Sequence, residues 1–417
     1  MMRKMKDSGV EWIGSIPEEW GMVRAKNIFT NHKYIVGDKE SEYERLSLTL
    51  SGVLKRPKDD SKGLQSESFA TYQILNEDEL VFKMIDLENV STSRVGYSPY
   101  TGIVSPVYII FNNKKYTRYG YYYFYNMWQR TIFNRLGNDG VRSALNAGDM
   151  LNLPFPLLTE FEAKKIADFL DDKVGEIDAI VLKTKESIDE YKKFKQSIIN
   201  EVVSNGIDKT VSLRETEIEF IDKIPCHWKE IKNNYLFREN VRPYREGDIP
   251  LSLSQADGLI PTDDMKERSL KTSSYDNWKR VAVDDLVLNR FKAHLGVLFA
   301  STLEGMVSFH YGVYEPQRKL VTKYYEYLYH SDYYKAIYAG MSNGMVVGLQ
   351  NLSNTNFYAV KSLYPPYEEQ VAIVDYLDKK CGEIDTLIAK KRAFIEEMET
   401  YKKSLIYEFV TGKKEVV

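Results

Sequence analysis

Few residues of this sequence have the type and spacing that catalysis requires. Asp264-Met265-Lys266 has the spacing of a nuclease carboxylate–lysine pair, but a single charged triplet carries little information. No Gly-Lys-Ser/Thr loop is present to bind phosphates, so ATP hydrolysis is unsupported. The histidines show no metal-ligand spacing; they are His32, His227, His294, His310 and His330.

The string Tyr364-Pro365-Pro366-Tyr367 is close to the Asn/Asp-Pro-Pro-Tyr motif of amino-methyltransferases. In that motif the Asn or Asp accepts hydrogen bonds from the target amino group of a flipped base. Tyr364 has neither a carboxamide nor a carboxylate, and no glycine-rich cofactor-binding loop precedes it. We interpret the prolines as the start of a helix. We expect a non-catalytic chain that binds no metal and no cofactor of its own.

The elements that could position binding residues occur twice. The tetrapeptide Gly-Glu-Ile-Asp at 175–178 returns at 382–385, so the two copies lie 207 positions apart. The same offset relates further identical or similar residues without a gap: Ile166/Ile373, Asp168/Asp375, Phe169/Tyr376, Leu170/Leu377, Asp171/Asp378, Lys183/Lys390, Phe194/Tyr401, Ser197/Ser404, Ile199/Ile406 and Glu201/Glu408. The chain is therefore a tandem duplication, and its function must use two copies.

Each tetrapeptide lies within a long segment of helical periodicity, at about 160–204 and about 368–411. Apolar residues follow the alternating three-and-four spacing of a helix–helix seam, and Lys and Glu clusters keep the other faces polar. A helix of about 45 residues would be roughly 65 Å long. With a single apolar stripe it would not be stable alone in water, so the two helices are expected to pair with each other.

A strand-rich globular half precedes each helix. Both halves begin with Ile-Pro-x-x-Trp, ending at Trp20 and Trp228, and both contain an Asp-x-Leu-Val strand, at 78–81 and 284–287. Tyrosine-rich segments follow at 119–128 and 324–338, and their helical spacing favours packing against the sheet over stacking on bases. A Gly-x-x-x-small-Leu-amide turn closes each half, at 140–146 and 344–350.

Composition narrows the class of protein. The net charge is −3, and the two helical segments hold the acidic excess, so the remainder is mildly basic and permits a localised basic face. Two cysteines far apart in sequence argue against a disulfide or zinc framework. With no signal peptide and no membrane-spanning stretch, we expect a cytoplasmic protein.

In this order and duplicated, these motifs resemble the specificity subunit (S, HsdS-type) of type I restriction–modification enzymes, over essentially the whole chain. The resemblance implies an α+β fold: a β-rich target-recognition domain plus a long helix, in tandem, with the helices paired as an antiparallel coiled coil. The expected domains are recognition domain 1 (1–155), a central spacer helix (156–208), recognition domain 2 (209–364) and a C-terminal spacer helix (365–417).

The resemblance also implies partners. Each recognition domain would read one half of a split site in double-stranded DNA, and the helices would set the unread gap and dock two modification subunits. Those subunits would bind S-adenosylmethionine, and restriction subunits using ATP could join them. The alternative is a two-domain coiled-coil adaptor that binds proteins without touching DNA. Convergence of the basic residues of each half on one concave face would favour DNA recognition.

Arg or Lys reads guanine best in the major groove, and Asn or Gln reads adenine. The candidates on loops after the paired strands are Arg56, Lys58, Lys83, Arg94 and Arg142 in the first half, and Gln255, Arg290, Lys292, His294 and Arg318 in the second. Apolar residues beyond a two-helix seam are candidates for partner docking: Phe194, Ile199, Tyr401 and Ile406.

Overall fold

The computed structural model describes residues 3–57, 68–88, 91–136, 144–265, 275–342 and 351–416. The chain divides into two compact units. The first unit is Met1–Thr184 with Ala393–Val417, and the second is Lys185–Arg392. In the part of the chain that the structure describes, no helix is both long enough and apolar enough to cross a membrane.

In the described residues, the first unit contains short strands, three helices of its own, the first part of a fourth that continues into the second unit, and the end of the C-terminal long helix. Its strands are β1 (Met5–Asp7), β2 (Ser15–Pro17), β3 (Gly21–Arg24), β4 (Thr30–His32), β5 (Arg45–Thr49), β6 (Gly52–Arg56), β7 (Gln73–Leu75), β8 (Leu80–Phe82), β9 (Val95–Tyr97), β10 (Gly102–Val104), β11 (Ile109–Asn112) and β12 (Pro154–Leu157). Its helices are α1 (Thr117–Gln129), α2 (Ile132–Leu136), α3 (Ala147–Leu151) and α4 (Glu160–Asn205). Short 3-10 turns occupy Ala25–Asn27 and Gly37–Glu42.

The second unit repeats this order of elements. Its strands are β13 (Leu213–Glu215), β14 (Lys223–Pro225), β15 (Lys229–Lys232), β16 (Phe237–Glu239), β17 (Leu251–Ser254), β18 (Gly258–Pro261), β19 (Lys279–Val281), β20 (Leu286–Asn289), β21 (Leu298–Ala300), β22 (Gly305–Val307), β23 (Tyr311–Pro316) and β24 (Lys361–Tyr364). Its helices are α5 (Asn233–Leu236), α6 (Thr322–His330), α7 (Asp332–Met341), α8 (Asn354–Ala359) and α9 (Tyr367–Val410), with 3-10 turns at Thr262–Asp264 and Ala293–Leu295.

Sheet topology is the same in both units. The sheet β4-β11-β8-β9 corresponds to β16-β23-β20-β21, and the pair β12-β3 corresponds to β24-β15. The sheet β6-β5-β10-β7 corresponds to β18-β17 and β22-β19, which a single parallel bridge between Pro250 and Met306 connects. The duplication therefore extends through the globular halves, although few of their residues match, and the predicted fold class is confirmed.

Within each unit, segments of α4 and α9 pack against each other in antiparallel orientation. In the first unit Lys402 Nζ donates to Asp178 Oδ1 at 2.7 Å, and in the second Lys195 Nζ donates to Asp385 Oδ2 at 2.6 Å. These two ion pairs are repeat equivalents, because 207 positions separate Asp178 from Asp385 and Lys195 from Lys402. The predicted pairing of the two helices, in antiparallel orientation, is confirmed.

A buried tryptophan fastens each globular half to the start of its long helix. Trp20 Nε1 donates to Glu162 Oε2 at 2.9 Å, and Trp228 Nε1 donates to Glu369 Oε2 at 2.8 Å. Both indoles are almost completely buried, so their N–H groups need partners within the protein. The duplicated Ile-Pro-x-x-Trp motif is therefore a structural clamp.

Tyrosines of the helices before each long helix complete the attachment. Tyr122 Oη donates to Asp171 Oδ1 at 2.6 Å, and Tyr327 Oη donates to Asp378 Oδ1 at 2.5 Å. Burial, with the added effect of the bonded carboxylate, raises the pKa of both phenols. Most tyrosines of α1 and α6 are buried, as the helical spacing predicted.

We expect Trp228→Phe to lower the free energy of unfolding of the second unit by about 1–3 kcal/mol, because the substitution removes a hydrogen bond to a charged acceptor. Trp20→Phe should have a similar effect on the first unit. Denaturant unfolding would measure both changes, with the exposed Tyr235→Phe as a surface control expected to stay within about 0.5 kcal/mol. If Trp228→Phe and Tyr235→Phe were equal in effect, the indole would not be a clamp.

Candidate nucleic-acid interface

The loop after β20 in the second unit carries three of the predicted binding residues. Lys292 is exposed, whereas Arg290 and His294 are half-buried. The 3-10 turn Ala293–Leu295 and the left-handed Gly296, with φ of 74°, return the chain to β21. One short segment therefore holds three basic side chains.

Arg290 is held in position by Glu239. A guanidinium nitrogen of Arg290 donates to Glu239 Oε1 at 2.7 Å, and Lys279 Nζ donates to the same oxygen at 2.9 Å. The Asn354 amide donates to the second carboxylate oxygen and accepts from Tyr314 Oη at 2.7 Å. A guanidinium fixed in this way loses less conformational freedom on binding a guanine edge than a free side chain would.

Gln255 and Arg318 lie elsewhere on the second unit. Gln255 is exposed in the turn between β17 and β18. Arg318 is exposed after β23, and its Nε donates to the Tyr235 carbonyl at 2.9 Å. Among the described residues, no hydrogen bond connects either side chain to the loop after β20.

In the first unit, Lys83 directly follows β8 and Arg94 directly precedes β9, and the two residues lie side by side. The backbone N–H of Lys83 donates to the Arg94 carbonyl at 3.0 Å, and Lys83 Nζ donates to Thr92 Oγ1 at 3.2 Å. Burial and the neighbouring Arg94 charge lower the pKa of Lys83. Lys83 is half-buried, so part of the residue remains accessible to solvent.

Arg94 has an interior position instead. The residue is 0% exposed, and its guanidinium donates to the Asp86 carbonyl and to Thr92 Oγ1. Burial lowers the pKa of Arg94, although Asp86 and Tyr108 oppose the change. The side chain braces the loop between β8 and β9, so we leave Arg94 out of the proposed DNA contacts.

Arg56 ends strand β6 and is half-buried, with its Cα opposite that of Arg45 on β5. Lys58 and Arg142 lie outside the described residues. The closing turns of the two halves also fall largely outside the described residues, apart from 144–146 in the first.

A groove of about 450 Å³ in the first unit contains polar residues that sequence reasoning missed. Asn31, Lys33 and Asn146 line it, together with the exposed apolar residues Ile85 and Val107. Asn31 Nδ2 donates to the Ile110 carbonyl at 2.9 Å, which orients its side chain. The sequence contains no signal for these residues, because only the pairing of β4 with β11 and of β11 with β8 brings them together.

Buried carboxylates at the start of β8 and β20 are structural. Glu79 accepts from the Asn76 backbone N–H and Asp285 from that of Ala282, both at 2.8 Å. Burial raises the pKa of Asp285, opposed by the Ala282 hydrogen bond and by Arg242. These residues cap the turns before equivalent strands, so they do not form a catalytic pair.

The strings considered for catalysis also have structural positions. Tyr364 ends β24 and α9 begins at Tyr367, so the two prolines stand where the helix starts, as predicted. Asp264 ends a 3-10 turn, and Lys266 lies outside the described residues.

Metal-binding chemistry finds no support in the described residues, which contain no group of three His, Cys, Asp or Glu side chains arranged for an ion. One of the histidines, His330, has a structural role instead. His330 Nε2 lies 2.8 Å from the Leu298 carbonyl, and burial lowers its pKa to about 4.

Two of the four residues considered for partner docking are on the surface. Phe194 is 57% exposed and its repeat equivalent Tyr401 is 52% exposed. Ile199 and Ile406 are 6% and 1% exposed and belong to the cores of the second and first units. The buried pair is therefore left out of the proposed docking surface.

A second exposed apolar pair was missed by sequence reasoning. Ile180 on α4 and Leu387 on α9 are repeat equivalents, and both are exposed. Their spacing resembles that of core positions, so periodicity alone did not separate them from the seam.

Comparison with known proteins identifies the class to which this fold belongs. Residues 230–397 match the family described as Type I restriction modification DNA specificity domain. The resemblance to a type I specificity subunit that the sequence predicted is confirmed.

Similarity extends over the whole chain. The putative type I restriction enzyme MjaX specificity subunit of Methanocaldococcus jannaschii is 22% identical over 96% of this chain and 95% of its own length. A chain from a structure concerned with assembly and conformational transition of the type I R-M system covers 96% of this chain and 99% of its own, with a TM-score of 0.68 and 13% identity. The HsdS subunit from Thermoanaerobacter tengcongensis covers 96% of this chain and 98% of its own, with 12% identity and a TM-score of 0.49.

Proposed function

We propose that this chain is the sequence-specific DNA recognition subunit of a type I restriction–modification complex. Each globular half, 1–155 and 209–364, reads one half of a split, asymmetric site in double-stranded DNA. The long helices at 156–208 and 365–417 set the unread gap and dock modification subunits. S-adenosylmethionine and ATP belong to the partner subunits in this proposal, and the chain itself is not catalytic.

One observation carries the proposal. The domain that matches the specificity family lies mostly in the second unit. The first unit repeats the sheet topology of the second, and each unit has a tryptophan that bonds to the start of its long helix. A chain in which a recognition domain is duplicated is suited to read two separate DNA sequences. The globular halves share few residues apart from the repeated motifs, as expected if each reads a different sequence.

Sequencing methylated adenines in cells that carry this chain with its modification partner tests the proposal. We expect a single motif made of two specified parts separated by a fixed unread gap. Cells without this chain but with the modification partner should lack methylation at that motif. An uninterrupted motif, or the same methylation without the chain, would contradict the proposal.

Direct base contacts are proposed for the loop after β20 in the second unit and for Lys83 in the first. Arg290 is the strongest candidate, because Glu239 fixes its guanidinium while part of it remains accessible. Lys292 is exposed and has no ordered partner among the described side chains, as expected of a phosphate contact. Arg56, Gln255, His294 and Arg318 remain candidates, as do Lys58 and Arg142.

Replacing Arg290 with Ala should weaken binding to the specific site by about 1–3 kcal/mol and leave binding to unrelated DNA nearly unchanged. Lys292→Ala is the matched comparison and should weaken both kinds of DNA alike, with a smaller dependence on salt. Titration of labelled duplexes at two salt concentrations measures these changes. An equal loss on both DNAs for Arg290→Ala would make it a phosphate contact, and no loss would remove it from the interface.

The proposed docking surfaces for modification subunits centre on the equivalent exposed residues Phe194 and Tyr401. Because the repeat places similar apolar side chains on both surfaces, two identical partners should bind per chain. Native mass measurement should show two modification chains with the parent protein and one with either Phe194→Ser or Tyr401→Ser. Val241→Ser, at an exposed apolar residue outside the long helices, should keep two. A complex with one modification chain that methylates normally would refute the symmetry.

A further inference from the structure

An exposed aromatic cluster lies beside the basic loop of the second unit. Phe291 is 42% exposed and Phe309 is 50% exposed. The His310 ring stands between them, with its centroid 5.9 Å from that of Phe291 and 3.9 Å from that of Phe309. Large apolar side chains that stay accessible together need a reason, because water disfavours such a surface.

Charge indicates what this cluster contacts. The two segments that carry it, residues 289–297 and 305–311, contain Arg290, Lys292 and His294 but no Asp or Glu. An apolar surface framed by basic side chains fits a polyanion that also presents apolar groups. DNA is such a ligand, since phosphates line the groove in which thymine exposes its 5-methyl group.

The first unit has an exposed apolar residue at the position of Phe291 and another at the position of His310. Ile85 lies three residues after the β8 residue Phe82, as Phe291 lies three residues after the β20 residue Leu288. In the strand pairing, Phe82 lies opposite Ile109 and Leu288 lies opposite Gly312. Val107 and His310 each lie two residues before these partners. Ile85 and Val107 are both exposed. At the position shared by Ile85 and Phe291 the side chains differ while the apolar character persists, which indicates that this position serves for contact in both units.

We propose that Phe291 and Phe309 contact the 5-methyl group of a thymine in the half-site read by the second unit. This inference rests on the proposed function and adds the chemical group that is recognised. The rings discriminate thymine from cytosine, which offers no methyl group at that place in the major groove. Both rings pack against His310 and form a surface patch with it, which suits contact with a methyl group better than insertion between bases.

Uracil scanning of the recognised site tests the proposal. Each thymine of the duplex is replaced in turn by deoxyuridine, which removes only the 5-methyl group, and the affinity of the assembled methyltransferase is measured. We expect one thymine of the second unit's half-site to show about fourfold weaker binding on replacement, as burial of one methyl group would give. Phe291→Ala and Phe309→Ala should abolish that difference, and Phe291→Leu should retain most of it.

Ile85→Ala is the matched control, since it removes the equivalent apolar residue of the first unit. It should leave the uracil effect in the second half-site unchanged. The proposal is overturned if no thymine there responds, if the half-site contains none, or if the response persists in both alanine variants. Loss of a modification subunit from Phe291→Ala with an unchanged uracil effect would make the cluster a protein-docking surface. Failure of the parent complex to recognise any split site would instead reject the proposed function.

Discussion

Lengthening both long helices by one heptad is expected to lengthen the unread gap in the DNA site by about three base pairs. Seven residues add about 10 Å at 1.5 Å per residue, and DNA advances about 3.4 Å per base pair. Seven residues also preserve the helical phase to within about 20°, whereas four residues would misalign the seam by about 40°. The heptad is therefore the better insertion, although four residues should still add one or two pairs.

The ion pairs between the helices show where to insert. In an antiparallel helix pair, residues that lie opposite each other have numbers with a constant sum. Asp178 with Lys402 and Lys195 with Asp385 give the same sum, so both ion pairs fit one antiparallel register. Insertions after Thr184 and after Ile395 keep both pairs in register. An insertion after Thr184 alone shifts α4 relative to α9 and is the matched control. We expect this variant to have a lower free energy of unfolding.

Methylation of a library with randomised gap lengths measures the preferred gap of each variant. We expect the rate at the best gap to fall as well, because three more base pairs rotate one half-site by roughly 100° about the DNA axis. The preferred gap is therefore the readout, and the rate is secondary. An unchanged gap in active double-insertion variants would show that the helices hold partners but do not measure DNA.

The sequence was sufficient to predict the repeated framework. Periodic apolar residues in both copies specified the long helices, and the repeated Ile-Pro-x-x-Trp motif marked the start of each globular half. The tyrosines of α1 and α6 were correctly predicted to be core residues, because their spacing matched one face of a helix. These features depend on local periodicity, which a sequence displays directly.

Positions on loops could not be predicted to the same degree. Arg94 has the residue type of a DNA contact but is buried, and its guanidinium donates to the Asp86 carbonyl and the Thr92 hydroxyl of its own loop. Ile199 and Ile406 matched an outer helix face by spacing, yet each belongs to a core that distant elements complete. Burial of such residues depends on tertiary contacts that no short sequence window contains.

Some binding candidates were missed for the same reason, because distant segments bring them together. Asn31 and Lys33 line a groove with residues more than 40 positions away, and Phe291 meets His310 across two separate segments. Neither group has a motif or a period. Only the pairing of β4, β8 and β11, or of β20 and β23, brings these side chains together.

Exchange of one recognition domain tests most directly whether each half of the chain reads its own half-site. Within the first recognition domain, predicted at 1–155, the exchange can be limited to residues 25–153, which leaves β3, β12 and the Trp20–Glu162 bond to the parent chain. The donor should be a relative with tyrosines at the positions of Tyr119 and Tyr122, so that the attachment to the long helices survives.

Sequencing of methylated adenines in cells that carry the exchanged chain and the modification partner gives the result. The account predicts that one specified part of the motif changes to that of the donor, while the other part and the gap stay the same. A change in both parts, or in neither, from a chain that still assembles and methylates would contradict it.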